Sequence, residues 1–114
     1  MSKVTVSQQQ GLTILHPTGE FVGGSETDEL RTALDGLARE ENTNLLIDLA
    51  GTTYLNSTAL GVLIAAHTNF SKRGARIALC NVAKNIENIF VITKLTLVFT
   101  IYGTKDEAVA ALAG

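Results

Sequence analysis

The segment Leu45–Leu49 constrains the fold of this chain more than any other part of the sequence. It is a short apolar run that only Asp48 interrupts. Such runs are typical of central strands that are covered on both faces, in sheets whose parallel strands are joined by crossover helices. The next apolar segment, Leu60 to Phe70, is apolar almost all round and predicts a largely buried helix. Together the two segments predict an α/β fold.

Helical patterns flank this central strand. Ser25 is predicted as an N-cap, because three acidic residues that follow it favour the positive end of a helix dipole. Apolar residues then recur at helical spacing, at Leu30, Ala33, Leu34, Leu37 and Ala38. A further helix is predicted from Val82, Ile86, Ile89 and Phe90, and it is expected to end around Thr93 to Leu95. Thr104 and Glu107 form a capping-box pattern for a last helix at the C-terminus.

Strand patterns fill the remaining segments. Two period-two runs near the N-terminus, around Val4 and around Leu12 to Ile14, predict a hairpin. Ala75–Cys80 and Leu97–Tyr102 predict two later strands. The element order is therefore β-β-α-β-α-β-α-β-α, within a single domain over residues 1–114. It predicts a mostly parallel, mixed sheet of five strands with about four helices, because strand–helix–strand units cross over with one hand.

Composition excludes several classes of function. Nine basic and eleven acidic residues leave a net charge of -2, which argues against a nucleic-acid-binding face. No apolar stretch approaches the roughly 18 residues that a membrane span needs, and the N-terminus is unlike a signal peptide, so a cytoplasmic protein is expected. A lone Cys80 excludes an internal disulfide and a cysteine metal cage, and its apolar surroundings predict a buried, inert thiol. No metal or cofactor is predicted.

The polar segment Asn56–Ser57–Thr58 lies where the apolar helix begins. The first four N–H groups of a helix lack helical partners, so these side chains are suited to capping, worth about 1 kcal/mol. A second interpretation is that Ser57 is displayed for phosphorylation. A phosphoserine carries a charge of about -1.5 to -2, which a helix N-terminus tolerates but a partner packed against it does not. The residues alone leave both interpretations open.

The sequence gives weaker evidence for any other functional residue. Ser57 is not in a G-x-S-x-G motif, and neither His16 nor His67 lies in a recognisable catalytic pattern. Asp48 ends the central strand and is interpreted as an acid that orients the following loop. Gly23 and Gly24 precede a helix without a phosphate-loop pattern, so they predict a flexible start to that helix. No enzyme is predicted.

The stretch from Leu45 to Ala66, LLIDLAGTTYLNSTALGVLIAA, resembles the signature of STAS domains, specifically bacterial anti-sigma-factor antagonists. In that family an apolar strand ends in Asp-Leu, and a short loop leads to a motif that opens an apolar helix. The corresponding motif here runs from Asn56 to Gly61, with Asn56 and Ala59 where aspartate and glycine are usual. The resemblance extends to Gly19-Glu20-Phe21, Lys72-Arg73-Gly74, Ile92–Leu95 and Phe99–Tyr102.

The resemblance implies a function in regulation by protein–protein contact. Family members bind an anti-sigma factor that is also a serine kinase, and thereby release a sigma factor. The kinase phosphorylates the serine that corresponds to Ser57, which ends the binding, and a serine phosphatase restores it. Thr58 is the second-choice acceptor. The partner-binding residues expected here are Gly23, Gly24, Ser25, Asn56, Ser57, Thr58, Ala59 and Leu60.

Two alternatives stay open on the sequence. One is an unmodified STAS scaffold that assembles with other modules. The other is a domain that binds a small molecule or nucleotide, or a weak enzyme, with a pocket around Asp48 and Ser57. A weak homodimer is also compatible with the sequence.

Overall fold

The predicted N-terminal hairpin is formed by β1 (Val4–Gln9) and β2 (Leu12–Pro17), whose residues pair in antiparallel register. The computed structural model describes residues 3–40 and 43–113. The remaining elements, in chain order, are β3 (Gly19–Phe21), α1 (Ser25–Ala38), β4 (Leu45–Asp48), β5 (Thr52–Leu55), α2 (Ser57–Lys72), β6 (Ile77–Cys80), α3 (Lys84–Ile92), a 3-10 helix (Leu95–Leu97), β7 (Thr100–Tyr102) and α4 (Lys105–Ala113).

The main sheet has the strand order β1-β2-β4-β6-β7. Only β1 is antiparallel to its neighbour, whereas β2, β4, β6 and β7 pair in parallel. The predicted apolar strand, β4, lies at the centre and is buried along its whole length. The prediction of a five-stranded mixed sheet with about four α-helices is therefore confirmed.

Helices cover both faces of this sheet. Leu45 and Ile47 of β4 point into a core that also contains side chains of α1, α2 and α3. Leu46 points to the opposite face, where it packs with Ala78, Cys80 and the apolar side chains of α4. This two-sided burial explains the continuous apolar pattern of β4. Each large apolar side chain buried in this way contributes roughly 1.5–3 kcal/mol.

A second, two-stranded sheet was not predicted from the sequence. Strands β3 and β5 pair in parallel, with Phe21 opposite Leu55, and Asn56 extends the pairing by donating its N–H to the Phe21 carbonyl at 3.0 Å. These strands have three and four residues, too few for a two-residue period to be recognised. They hold the segment before α1 beside the start of α2.

The predicted N-cap of α1 is wrong by one residue. Gly24 occupies the cap position, Ser25 is the first helical residue, and no cap side chain bonds to the helix. The side chains of Glu26 and Thr27 instead fold back onto the preceding loop, where they accept hydrogen bonds from the N–H groups of Val22, Gly23 and Gly24. The loop thereby uses side chains from within the helix, which a cap pattern does not reveal.

The last strand is shorter than predicted, because the 3-10 helix takes up Leu97. Lys94 adopts a left-handed conformation (φ 63°) after α3, which turns the chain before β7 begins at Thr100. The predicted capping box of α4 forms in part. The Thr104 hydroxyl accepts the Glu107 N–H at 3.1 Å and donates to the Glu107 carboxylate at 3.2 Å. None of the helices in the described residues has the length and apolarity to cross a membrane.

Candidate functional site

Ser57 is the first residue of α2, and the residue before it caps the helix. The Asn56 side chain accepts the N–H of Ala59 at 3.0 Å, and the Asn56 carbonyl accepts the N–H of Leu60 at 2.9 Å. The predicted cap is therefore present and is supplied by Asn56. Ser57 is left with a hydroxyl that does not take part in the cap.

The surroundings of Ser57 can accommodate an anion. The Ser57 side chain is exposed, and no hydrogen bond in the described part of the chain engages its hydroxyl or the N–H groups of Ser57 and Thr58. The first turn of α2 contains no acidic residue. Unpaired N–H groups and the helix dipole favour negative charge at this position. A phosphoryl group on Ser57 would thus add charge without disturbing the fold.

Thr58 lies against the loop that precedes α1. A Cβ atom added to Gly23 would come within 3.6 Å of the Thr58 Cβ, and Gly23 has a left-handed φ of 90°. A larger residue at Gly23 would be strained in this conformation. Gly23, Gly24 and Ser25 are exposed, so this loop and the start of α2 form one continuous surface.

Two of the expected partner-binding residues lie beneath this surface. The Ala59 side chain is fully buried, and Leu60 is only 8% exposed. Both belong to the core between α2 and the sheet. Ala59 therefore cannot contact a partner, and Leu60 could do so only through the small part of its side chain that is exposed. The exposed surface consists of Gly23, Gly24, Ser25, Ser57 and Thr58, with the half-buried Asn56 among them.

A shallow groove of about 310 Å³ runs between α1 and α2 beside this surface. Thr58, Val62 and Ala65 form its α2 wall, and Arg31 lies on its α1 wall. The Arg31 guanidinium pairs with the Asp28 carboxylate at 2.8 Å, at an exposed position. Thr58 therefore faces α1, whereas Ser57 lies on the outer ridge of α2.

Glu26 holds the Val22–Gly24 loop in place. Its carboxylate accepts a hydrogen bond from the Thr27 hydroxyl and from the N–H groups of Val22 and Gly24, each N–H at 3.0 Å. These bonds, chiefly that from the Thr27 hydroxyl, lower the pKa of Glu26 from 4.5 to about 2. The ionised form of Glu26 is therefore the form that fits the folded loop.

We expect Glu26 to give the fold a pH dependence between pH 4.5 and 2. Its folded-state pKa is depressed, so the stabilisation is complete above the unfolded value of 4.5 and is lost as the pH falls toward about 2. In urea unfolding, Glu26→Gln should be less stable than the wild type at pH 7, with the difference shrinking below pH 4.5. Glu20→Gln, an exposed glutamate nearby, serves as the control. A pH-independent difference for Glu26→Gln would contradict this assignment.

Asp48 orients the loop that leads from β4 to β5, as the sequence predicted. One carboxylate oxygen accepts the Ala50 N–H and the Asn81 side-chain amide, both at 3.0 Å. Cys80 lies beside it and is fully buried. Burial, together with the Asp48 charge, raises the pKa of the Cys80 thiol to about 12. The prediction of a buried thiol is confirmed, and a thiol with this pKa stays protonated near neutral pH.

The structure also brings together Ser7, His16 and Asp48, a set that sequence reasoning missed. The Ser7 hydroxyl lies 3.1 Å from His16 Nε2, and His16 Nδ1 lies 3.4 Å from the second Asp48 oxygen. This order of contacts is that of a hydrolytic triad, which also needs an oxyanion site and a substrate cleft. Three of the clefts among the described residues are lined by no member of the set. The contacts tie β1, β2 and β4 together at one end of the sheet.

A family model for STAS domains matches residues 3–108. The chain belongs to the STAS domain family. The match includes the α2 motif, the loop before α1 and every strand of the main sheet. The resemblance noted in the sequence is thereby confirmed for the family and for the fold.

Several proteins that are similar to this chain are named as anti-sigma factor antagonists. The chain is 20% identical over 111 residues to an anti-sigma F factor antagonist of Paenibacillus polymyxa, covering 96% of this chain and 94% of that protein. A crystal structure of an anti-sigma factor antagonist from Mycobacterium paratuberculosis superposes with a TM-score of 0.87 at 22% identity, covering 97% and 93% of the two chains. The phosphorylated form of the Bacillus cell fate determinant SpoIIAA superposes with a TM-score of 0.74 at 12% identity, covering 95% and 97%.

Proposed function

We propose that this STAS domain is an anti-sigma-factor antagonist of the cytoplasm, controlled by phosphorylation of Ser57. In its unmodified form it binds an anti-sigma factor with serine kinase activity and so frees a sigma factor. Phosphorylation by that kinase ends the binding, and a serine phosphatase reverses it. The chain is then a ligand and a substrate in this cycle, and it contributes no catalytic group of its own.

The observation that carries this proposal is the position of Ser57. Its hydroxyl is exposed on the first turn of α2, outside the cap that Asn56 provides. A kinase can reach this hydroxyl without unfolding the helix. The relatives named as anti-sigma factor antagonists, and the phosphorylated form known for SpoIIAA, support the same proposal.

The proposed switch depends on how a phosphate on Ser57 is solvated in the free domain and in a complex with the partner. In the free domain, a phosphate on Ser57 would meet unpaired N–H groups at the helix N-terminus and would remain hydrated. In a complex, a partner packed against Ser57 would have to bury about -1.5 to -2 charges, which is costly unless they are paired. Phosphorylation should therefore oppose docking while leaving the domain folded.

The proposal predicts a single phosphorylated residue. The chain would be incubated with each kinase-type anti-sigma factor of the source organism and ATP, and the phosphate located by mass spectrometry. We expect one phosphate on Ser57, and none on Ser57→Ala, while Thr58→Ala is modified like the wild type because Thr58 faces α1. Ser71→Ala, at an exposed serine of the last turn of α2, is the matched control. Phosphate on neither Ser57 nor Thr58 with every kinase would contradict the proposed switch.

The alternatives have less support. A small-molecule site was considered around Asp48 and Ser57, but three well-formed clefts among the described residues are lined by neither residue. Of these three, the one with the largest volume, about 700 Å³, is an open cleft next to β3 with three glutamates in its wall. An unmodified scaffold would not need an exposed and unbonded serine at a helix N-terminus.

A further inference from the structure

The segment from the end of α3 to the residue after the 3-10 helix carries four exposed large apolar side chains, three of which are the most exposed of this kind among the described residues. We call this set the α3 tip: Val91 (58% exposed), Ile92 (79%), Leu97 (83%) and Val98 (39%). Single exposed apolar residues are ordinary on a protein surface, but a group of four from one short segment is not. Such groups mark interaction surfaces when the fold gives no other reason for them.

Packing of the fold does not require the α3 tip. Phe90 and Phe99, from the same segment, are buried and stack edge-on with ring centroids 5.8 Å apart. These two rings anchor α3 and the 3-10 helix to the core. The left-handed turn at Lys94 lies between them and leaves the neighbouring apolar side chains outside. The α3 tip is therefore free to contact another molecule.

The α3 tip lies beside the face of α2 that adjoins the face of Ser57, toward the other end of the helix. At about 100° per residue, Ile64 lies within about 20° of Ser57 and about 10 Å further along the helix. Ile64 is 37% exposed and continues the ridge of Ser57. His67 lies about 80° to one side of Ser57. Its ring contacts Phe99, next to Val98, with centroids 5.3 Å apart.

The start of α3 approaches Ser57 from a second direction. The Asn85 side chain donates to the Thr53 carbonyl of β5 at 3.2 Å, and β5 leads directly into Asn56 and Ser57. Tyr54 of β5 is 42% exposed. α3 thus runs from the strand before Ser57 to the 3-10 helix beside α2. Tyr54 and the α3 tip supply exposed apolar side chains at the two ends of this route.

We propose that the partner protein that docks at Ser57 also packs an apolar surface against the α3 tip, with Ile64 between the two contacts. This inference rests on the function proposed above. It identifies a second part of the surface with which the domain binds the kinase, in addition to the surface around Ser57. Ser57 then supplies the switch, and the α3 tip supplies affinity that phosphorylation does not alter directly.

Interface size favours this partner over a second copy of the chain. A standard interface covers about 800 Å² on each partner, a patch about 30 Å across, with 20–30 residues a side. Four side chains are too few to form such an interface between two copies. The molecule measures only 32 × 26 × 25 Å, so a partner of standard footprint on the ridge of Ser57 and Ile64 reaches the α3 tip.

The test is the affinity of tip variants for the anti-sigma factor kinase that phosphorylates the chain. We expect the double variant Ile92→Ser/Leu97→Ser to bind that kinase at least tenfold more weakly than the wild type, by calorimetry without ATP. Val6→Ser is the matched control, because Val6 is 48% exposed on β1, at the opposite edge of the sheet from β7. It should bind like the wild type. Thermal unfolding of each variant checks that the fold is intact.

The outcomes separate this inference from the proposed function. If the wild type and the double variant bind equally well, the α3 tip is not part of the interface, while the role of Ser57 stands. If the wild type binds no kinase, the proposed function and this extension fall together. If the wild type self-associates through the α3 tip and the double variant is monomeric with unchanged kinase affinity, the surface belongs to a second copy and the inference is overturned.

Discussion

Ser57→Asp should weaken binding to the anti-sigma factor kinase by about 100-fold or more, while Ser57→Ala should bind at least as tightly as the wild type. Burying an unpaired carboxylate against a partner costs several kcal/mol, and each 1.4 kcal/mol corresponds to a factor of ten in Kd. The same carboxylate should slightly stabilise the free domain, by about 0.3–1 kcal/mol, because it lies at the positive end of the α2 dipole. Calorimetric titration and thermal unfolding measure the two effects.

The opposite signs of these two effects make the prediction specific. A substitution that only damaged the fold would lower both the affinity and the melting temperature. Ser71→Asp, at an exposed serine on the last turn of the same helix, is the matched control. Its charge lies at the unfavourable end of the dipole and about 21 Å along α2 from Ser57, so it should lower stability slightly and weaken the affinity far less than Ser57→Asp does. Equal affinities for Ser57→Asp and the wild type would show that charge at Ser57 does not control docking.

Phe90→Ala should lower the free energy of unfolding by about 3–5 kcal/mol. The Phe90 side chain is fully buried and packs against Phe99, so its removal leaves a cavity beneath α3. Domains of this size are typically stable by about 5–15 kcal/mol, so the loss is a large fraction of the total. Urea unfolding should show a lower midpoint with an unchanged slope.

Ile92→Ala provides the matched control on the same helix. Ile92 is 79% exposed, and its truncation should change the free energy of unfolding by no more than about 0.5 kcal/mol. A large loss from Ile92→Ala would mean that the α3 tip supports the fold, and would remove the reason to regard it as a docking surface. A small loss from Phe90→Ala would mean that α3 is not anchored as the structure indicates.

The elements that could be predicted from the sequence are those with a strong periodic pattern. The continuous apolar run of β4 indicated a strand covered on both faces, and the structure places it at the centre of the sheet. The apolar stripe of α1 and the all-round apolar pattern of α2 indicated helices correctly. By contrast, β3 and β5 are too short to show a period. Their pairing depends on residues about 33 positions apart, which no local pattern reports.

The candidate site was found in the sequence only in part. The motif Asn56–Ser57–Thr58 pointed to a helix start, and there the cap is supplied by Asn56. The hydrogen bonds from the loop N–H groups to the side chains of Glu26 and Thr27 could not be predicted. The sequence pattern indicated Ser25 as the N-cap, because serine is a common residue at that position. The close approach of Gly23 and Thr58 joins segments that lie 35 residues apart. It depends on how β3 and β5 bring these segments together.

The α/β class, the central strand and the serine at the start of an apolar helix could all be predicted from the sequence, because each depends on neighbouring residues and on burial patterns with a short period. Which side chains share a surface became known from the folded structure. It buried Ala59, exposed Ile92 and Leu97, and set Ser57 on the ridge between α1 and α3. The physical reason is that exposure depends on what the rest of the chain packs against, and that packing joins residues far apart in the sequence.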